Sequence, residues 1–261
     1  MWAEPSMRPE VLARGVLDTL GGEGGSVDGG RSVLAWLAAK LESGELKGER
    51  AEALRAALVP ELRKRFEAAA ADDPLRADVV AVAASWRDEA ALAVARSLAA
   101  DGARPAIERA AAFEALVTAR DPAANELFAT ALAAEDPASA ELPRRALVVA
   151  GRLDAPEVAR AVLAAWGRLD AGLQPLAVEL LSSRAAWALA LLEAIEAGRV
   201  PREALGVNQV RNLLASRDPR VVAKVEAVWG KLRKDRNPQR EQVVAEMRSL
   251  VTSGPGDPVA G

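Results

Sequence analysis

The sequence predicts an all-α chain, a right-handed α-α superhelix of stacked helical hairpins, on three observations. Alanine supplies 59 of the 261 residues and aromatics only 3%, and no alternation of apolar and polar residues runs long enough for a strand. Apolar side chains recur at helical spacing, as in Val158, Ala159, Val162, Leu163 and Trp166, or Val221, Val222, Val225, Val228 and Trp229, with Arg and Glu on the opposite faces. A turn motif also returns along the chain: Ser-Trp-Arg-Asp ends at Asp88, Thr-Ala-Arg-Asp at Asp121, Gly-Arg-Leu-Asp at Asp154 and Ala-Ser-Arg-Asp at Asp218. The first two steps are 33 residues each and the last is 64, with Ser-Ser-Arg-Ala at Ala185 as a degenerate turn between.

In chain order, residues 1–71 read as an N-terminal helical cap. Helices are expected over 8–20 and 31–42, flanking a glycine-rich stretch from Gly21 to Gly30 that reads as a flexible loop, and a long helix over about 49–70. Residues 72–252 carry the repeats, each about two helices of three turns, such as the one that buries Leu127, Phe128, Ala131 and Leu132. The tail 253–261 holds two prolines and three glycines and reads as a flexible linker.

The turn aspartates Asp88, Asp121, Asp154 and Asp218 have a structural explanation. An aspartate at an N-cap accepts hydrogen bonds from amides that lack an intrahelical partner, worth about 1 kcal/mol each. Proline at the next position loses nothing, which suits Asp121-Pro122 and Asp218-Pro219. Asp73-Pro74 and Asp136-Pro137 mark the other junctions, between hairpins. Small alanines let helices approach closely, and Trp86, Trp166, Trp187 and Trp229 serve as occasional large fillers, with partial exposure of Trp187 left open by the degenerate turn before it.

Little catalytic chemistry is available. Cysteine, histidine and tyrosine are absent, which removes disulfides, thiolate nucleophiles, ordinary zinc sites and imidazole catalysis. The glycine stretch has no strand before it and no Gly-Lys-Ser/Thr, and Glu23 and Asp28 would repel a phosphate. Carboxylate pairs such as Glu193 with Glu196, or Asp72 with Asp73, suit solvated helix faces and ends. No serine has an activating partner in a recognisable motif. We therefore expect no enzyme activity and no cofactor in this chain.

Net charge is −3, yet residues 199–248 hold 12 basic and 6 acidic side chains. Trp187, Trp229, Lys231, Arg233, Lys234 and Arg236 are candidates for an interaction surface. Nucleic acid is an alternative partner for this basic end, although Asp235 and Glu241 interrupt it. The start lacks the pattern of a signal peptide and no window suits a membrane span.

The run from Ser182 to Arg202, then Val207-Asn-Gln-Val-Arg-Asn-Leu-Leu, Asp218-Pro-Arg, Val225-Glu-Ala-Val-Trp-Gly230 and Gly256-Asp-Pro-Val-Ala-Gly261, resembles the HEAT-like segment of planctomycete PVC-type multidomain proteins. In that family a sugar-dehydrogenase-like β-propeller precedes HEAT repeats, and a small c-type cytochrome domain follows. The resemblance implies a HEAT/armadillo-like fold and a scaffold or docking role beside a c-type cytochrome and a dehydrogenase. It places haem only in an adjoining domain, and it implies an exported, periplasmic setting. Neither propeller nor Cys-x-x-Cys-His occurs here, so no catalytic or haem-binding residue carries over.

Overall fold

A computed structural model of the protein describes residues 8–21, 26–70, 72–133, 141–153, 155–230 and 238–253. The fold is all-α, with fourteen α-helices and no strand among the described residues. The first three are α1 (Pro9–Gly21), α2 (Val27–Glu42) and α3 (Gly48–Ala68). The next six are α4 (Arg76–Ser85), α5 (Glu89–Ala100), α6 (Ala106–Ala119), α7 (Ala123–Leu132), α8 (Glu141–Val149) and α9 (Glu157–Ala165). The last five are α10 (Gln174–Ser182), α11 (Ala185–Glu196), α12 (Val207–Leu214), α13 (Pro219–Trp229) and α14 (Pro238–Ser253).

The principal contacts join helices one or two places apart. The even-numbered helices from α2 to α12 each pack on the next of their row, and α5, α7, α9, α11 and α13 do the same in a second row. At the N-terminal end α1 packs on α2 and α3, and α3 on α4. From α1 to α13 each helix thus packs on a counterpart one hairpin away, and all but α9 also on a sequence neighbour.

Helix α3 illustrates the code: Leu54, Leu58, Leu62 and Phe66, four residues apart, are all buried. Further along, Phe113 of α6 and Phe128 of α7 stack at 6.3 Å between ring centroids. One continuous hydrophobic core runs from Leu12 to Val225. It passes the expected boundary at 72 without interruption, with Phe66 on one side and Leu75 on the other.

The glycine-rich stretch is not a loop throughout. Helix α2 starts at Val27, and Ser26 caps it by accepting a hydrogen bond from the Gly29 amide at 3.0 Å. Asp28 adds negative charge in the first turn, where the helix dipole favours it. Gly30 is helical and buried, and a Cβ there would lie 2.7 Å from Leu75 Cδ1 and 3.4 Å from Leu20 Cδ2. This glycine serves close packing of α1, α2 and the start of α4 rather than freedom of the backbone.

Three helix ends share one turn. Asp88 N–H donates to Ala83 O and Arg87 N–H to Ala84 O; Asp121 donates to Leu116 O and Arg120 to Val117 O; Arg199 donates to Ala194 O and Gly198 to Ile195 O. This is the Schellman arrangement, which needs a left-handed residue after the helix. Gly198 fills that place with φ 69°, but at the other two it is an arginine, Arg87 at 61° and Arg120 at 56°.

Candidate functional site

The turn aspartates lie where one hairpin meets the next. Asp88 caps α5 by accepting from the Ala91 amide at 2.9 Å, and its other oxygen pairs with the Arg63 guanidinium of α3. Asp121 accepts from the Ala123 amide at 3.0 Å and takes Arg96 of α5 through both nitrogens, at 3.2 and 2.5 Å. Both aspartate side chains are 3% exposed, whereas Arg63 and Arg96 are nearly half exposed. Arginine and aspartate advance together by 33 residues, so the same latch is built twice. Arg96 holds the Asp121 carboxyl below its usual range, against the opposing effect of burial, and the Ala123 amide adds to the lowering.

Asp218 caps α13 differently. It accepts from the Arg220 amide at 2.9 Å and pairs with the guanidinium of that same Arg220, which lowers its pKa. Pro219 is the first residue of α13, while Pro122 stands just before α7. Asp154 lies outside the described residues, as does Asp136. Asp73, at an inter-hairpin junction, accepts from the Leu75 amide at 2.8 Å.

Of the residues expected at an interaction surface, Trp187 belongs to the interior. It is 3% exposed, because its helix buries the same stripe as Ala188, Leu191 and Leu192, and Arg184 covers its ring at 4.5 Å from the centroid. Trp229 is half-buried under Arg202, at 4.6 Å, and Arg202 also donates to Trp229 O. Lys231, Arg233, Lys234 and Arg236 lie outside the described residues. Trp86 and Trp166 are buried.

Charged groups that the sequence reading passed over form a polar chain across the first row of helices. Arg31 of α2 pairs with Asp78 of α4, and Arg145 of α8 with Glu114 of α6. Burial raises the Asp78 pKa, with Arg31 only partly opposing. Alanines pave the groove between them, so charges separated by 47 and 31 residues in sequence meet on one face. Among the described residues no group of three acidic side chains is placed to hold a metal ion.

A second feature lies at the turns. Each motif brings an arginine: Arg87, Arg120, Arg152, Arg184 and Arg217, spaced by 33, 32, 32 and 33 residues. Arg87 donates to Ala119 O at 3.0 Å and Arg184 to Gly151 O at 2.8 Å, so both tie neighbouring turns through carbonyls left open at helix ends. Arg120, Arg152 and Arg184, from three successive turns, line one open depression of about 860 Å³ with Asp121, Asn125 and Thr118. This arginine period is legible in the turn tetrapeptides themselves, beside the cap aspartates.

Compared with protein-family models, curated proteins and solved structures, the chain matches none of them.

Proposed function

We propose that the chain is a HEAT-like α-solenoid that works without catalysis, as a scaffold or docking segment for a c-type cytochrome and dehydrogenase of the PVC type. The observation that carries the reading is the pairing of two rows of helices, each packed on its second neighbour, with a turn period of 32 or 33 residues. The residues from Ser182 onward add the family resemblance, and with it the redox setting and the exported location. No described helix is long and apolar enough to cross a membrane.

The test is co-elution. A recombinant c-type haem domain of the PVC type, mixed with this chain, is expected to shift to an earlier volume in size exclusion, with Soret absorbance under the shared peak. The chain alone is expected to show no Soret band after expression with haem maturation. A haem domain that keeps its own volume at micromolar concentrations overturns the partner. For the architecture, solution scattering is expected to give a radius of gyration above the ~18 Å of a compact domain of this length; a value at the compact limit overturns the solenoid.

A further inference from the structure

We propose that the arginine-bearing edge of the turns binds an extended acidic segment of a partner protein, with Arg120, Arg152 and Arg184 as its centre. The inference rests on the scaffold reading above, because a chain that acts without catalysis must act through a surface. The edge repeats one guanidinium per hairpin, and hairpins pack at the spacing of neighbouring helices, about 8–10 Å. An extended peptide rises about 3.3 Å per residue, so acidic side chains at every third position keep step with the arginines.

Two observations favour a peptide over nucleic acid. The arginines of the depression stand singly, one per turn, and its one acidic lining residue, Asp121, is already engaged by Arg96. That pattern suits a strand bearing charge at intervals; duplex DNA presents a charge about every 1.7 Å and needs a continuous basic stripe. Asn125, in the wall of the depression, has a buried side-chain oxygen with no donor among the described residues. Rotated toward the depression, it accepts from a peptide N–H, which a phosphate backbone lacks.

The experiment uses the full chain and fluorescein-labelled nine-residue peptides in Ser/Gly background, one with glutamate at positions 2, 5 and 8 and one with three adjacent glutamates, read by anisotropy at 50 and 200 mM salt. The spaced peptide is expected to bind tighter than the adjacent one, and to weaken as salt rises. Arg120→Asn, Arg152→Gln and Arg184→Gln together are expected to weaken it about tenfold. Because Arg184 also packs on Trp187, Arg120→Asn alone is the second variant: asparagine tolerates a left-handed backbone, and the exposed Arg120 side chain has no partner among the described residues to lose. It is expected to weaken binding about threefold with melting temperature unchanged or raised.

Equal affinity for the two peptides, unchanged binding by Arg120→Asn, or tighter binding of single-stranded DNA of equal charge overturns the proposal. If the spaced peptide fails while the haem domain still co-elutes, the edge falls and the scaffold stands. If the peptide binds in register while the haem domain does not co-elute, the edge stands and that partner falls.

Discussion

The joints around Asp88 and Asp121 and those beyond α8 hold similar helix pairs together by different chemistry. In the first region a covered aspartate is gripped by an arginine 25 residues earlier, from the helix one hairpin back. In the second the partner positions have changed: 33 residues past Arg96 stands Ala129, and 25 before Asp218 stands Glu193. There arginines lie on indoles, Arg184 on Trp187 and Arg202 on Trp229, while donating to helix-end carbonyls as Arg87 does in the first region, and the carboxylate that pairs between α11 and α13, Glu196 with Lys224, is exposed rather than covered. Helix packing sets the joint and the polar lock is interchangeable; a guanidinium on an indole keeps its charge in acid, whereas the Asp121 carboxylate loses its own.

The largest effect is expected in the indole region. Trp187→Ala should cost about 3–5 kcal/mol in urea unfolding, since it empties a site that is 3% exposed. Asp121→Ala should cost about 2 kcal/mol by the same measurement, combining a lost cap with lost charge-assisted hydrogen bonds. Asp218→Ala should cost clearly less, because Asp218 pairs only within its own helix. A larger loss at Asp218 than at Asp121 would break the comparison.

Acid separates the two locks further. The Asp121 carboxyl titrates lower in the folded chain than in the unfolded one, so its contribution is complete above the ordinary aspartate range, near pH 4, and disappears as pH falls through the folded value. Thermal melts should therefore show a loss below about pH 4 that Arg96→Gln reduces. Arg184→Gln should leave that acid dependence unchanged. The smallest effect is a gain: Arg120→Gly should stabilise by about 1 kcal/mol, since a residue with a Cβ occupies a left-handed turn there, and Gly198→Ala, at the matching place after α11, should lose a similar amount. Nothing lies within 4 Å of a Cβ built at Gly198, so that loss reports backbone conformation alone.

Helix type and cap chemistry were legible because they are local: Asp88 and Asp218 cap the helices that their tetrapeptides announce. Partners that meet through folding were not. Arg63 and Arg96 look like ordinary surface arginines until their 33-residue step is laid beside that of Asp88 and Asp121, and a third copy is missing at Ala129. Arg31, Asp78, Glu114 and Arg145 carry no motif at all; the packing of α2, α4, α6 and α8 in one row brings them onto one face. The start of α2 was hidden because glycine signals flexibility by composition, whereas Gly30 answers to Leu75 across the core. Trp187 is the large filler its helical spacing predicts, and only its candidacy for an interaction surface fails. A degenerate turn gives no hint of how deeply the following helix is covered.

Contacts that join only near neighbours also govern how the chain yields to force. Tension applied between the ends passes through every joint in series, so each gives a little and stretch is shared, as in a spring. Single-molecule pulling should then yield small successive extensions in place of one rupture, with the α12–α13 end, where only Val210, Leu213, Val221 and Val225 are buried, letting go first.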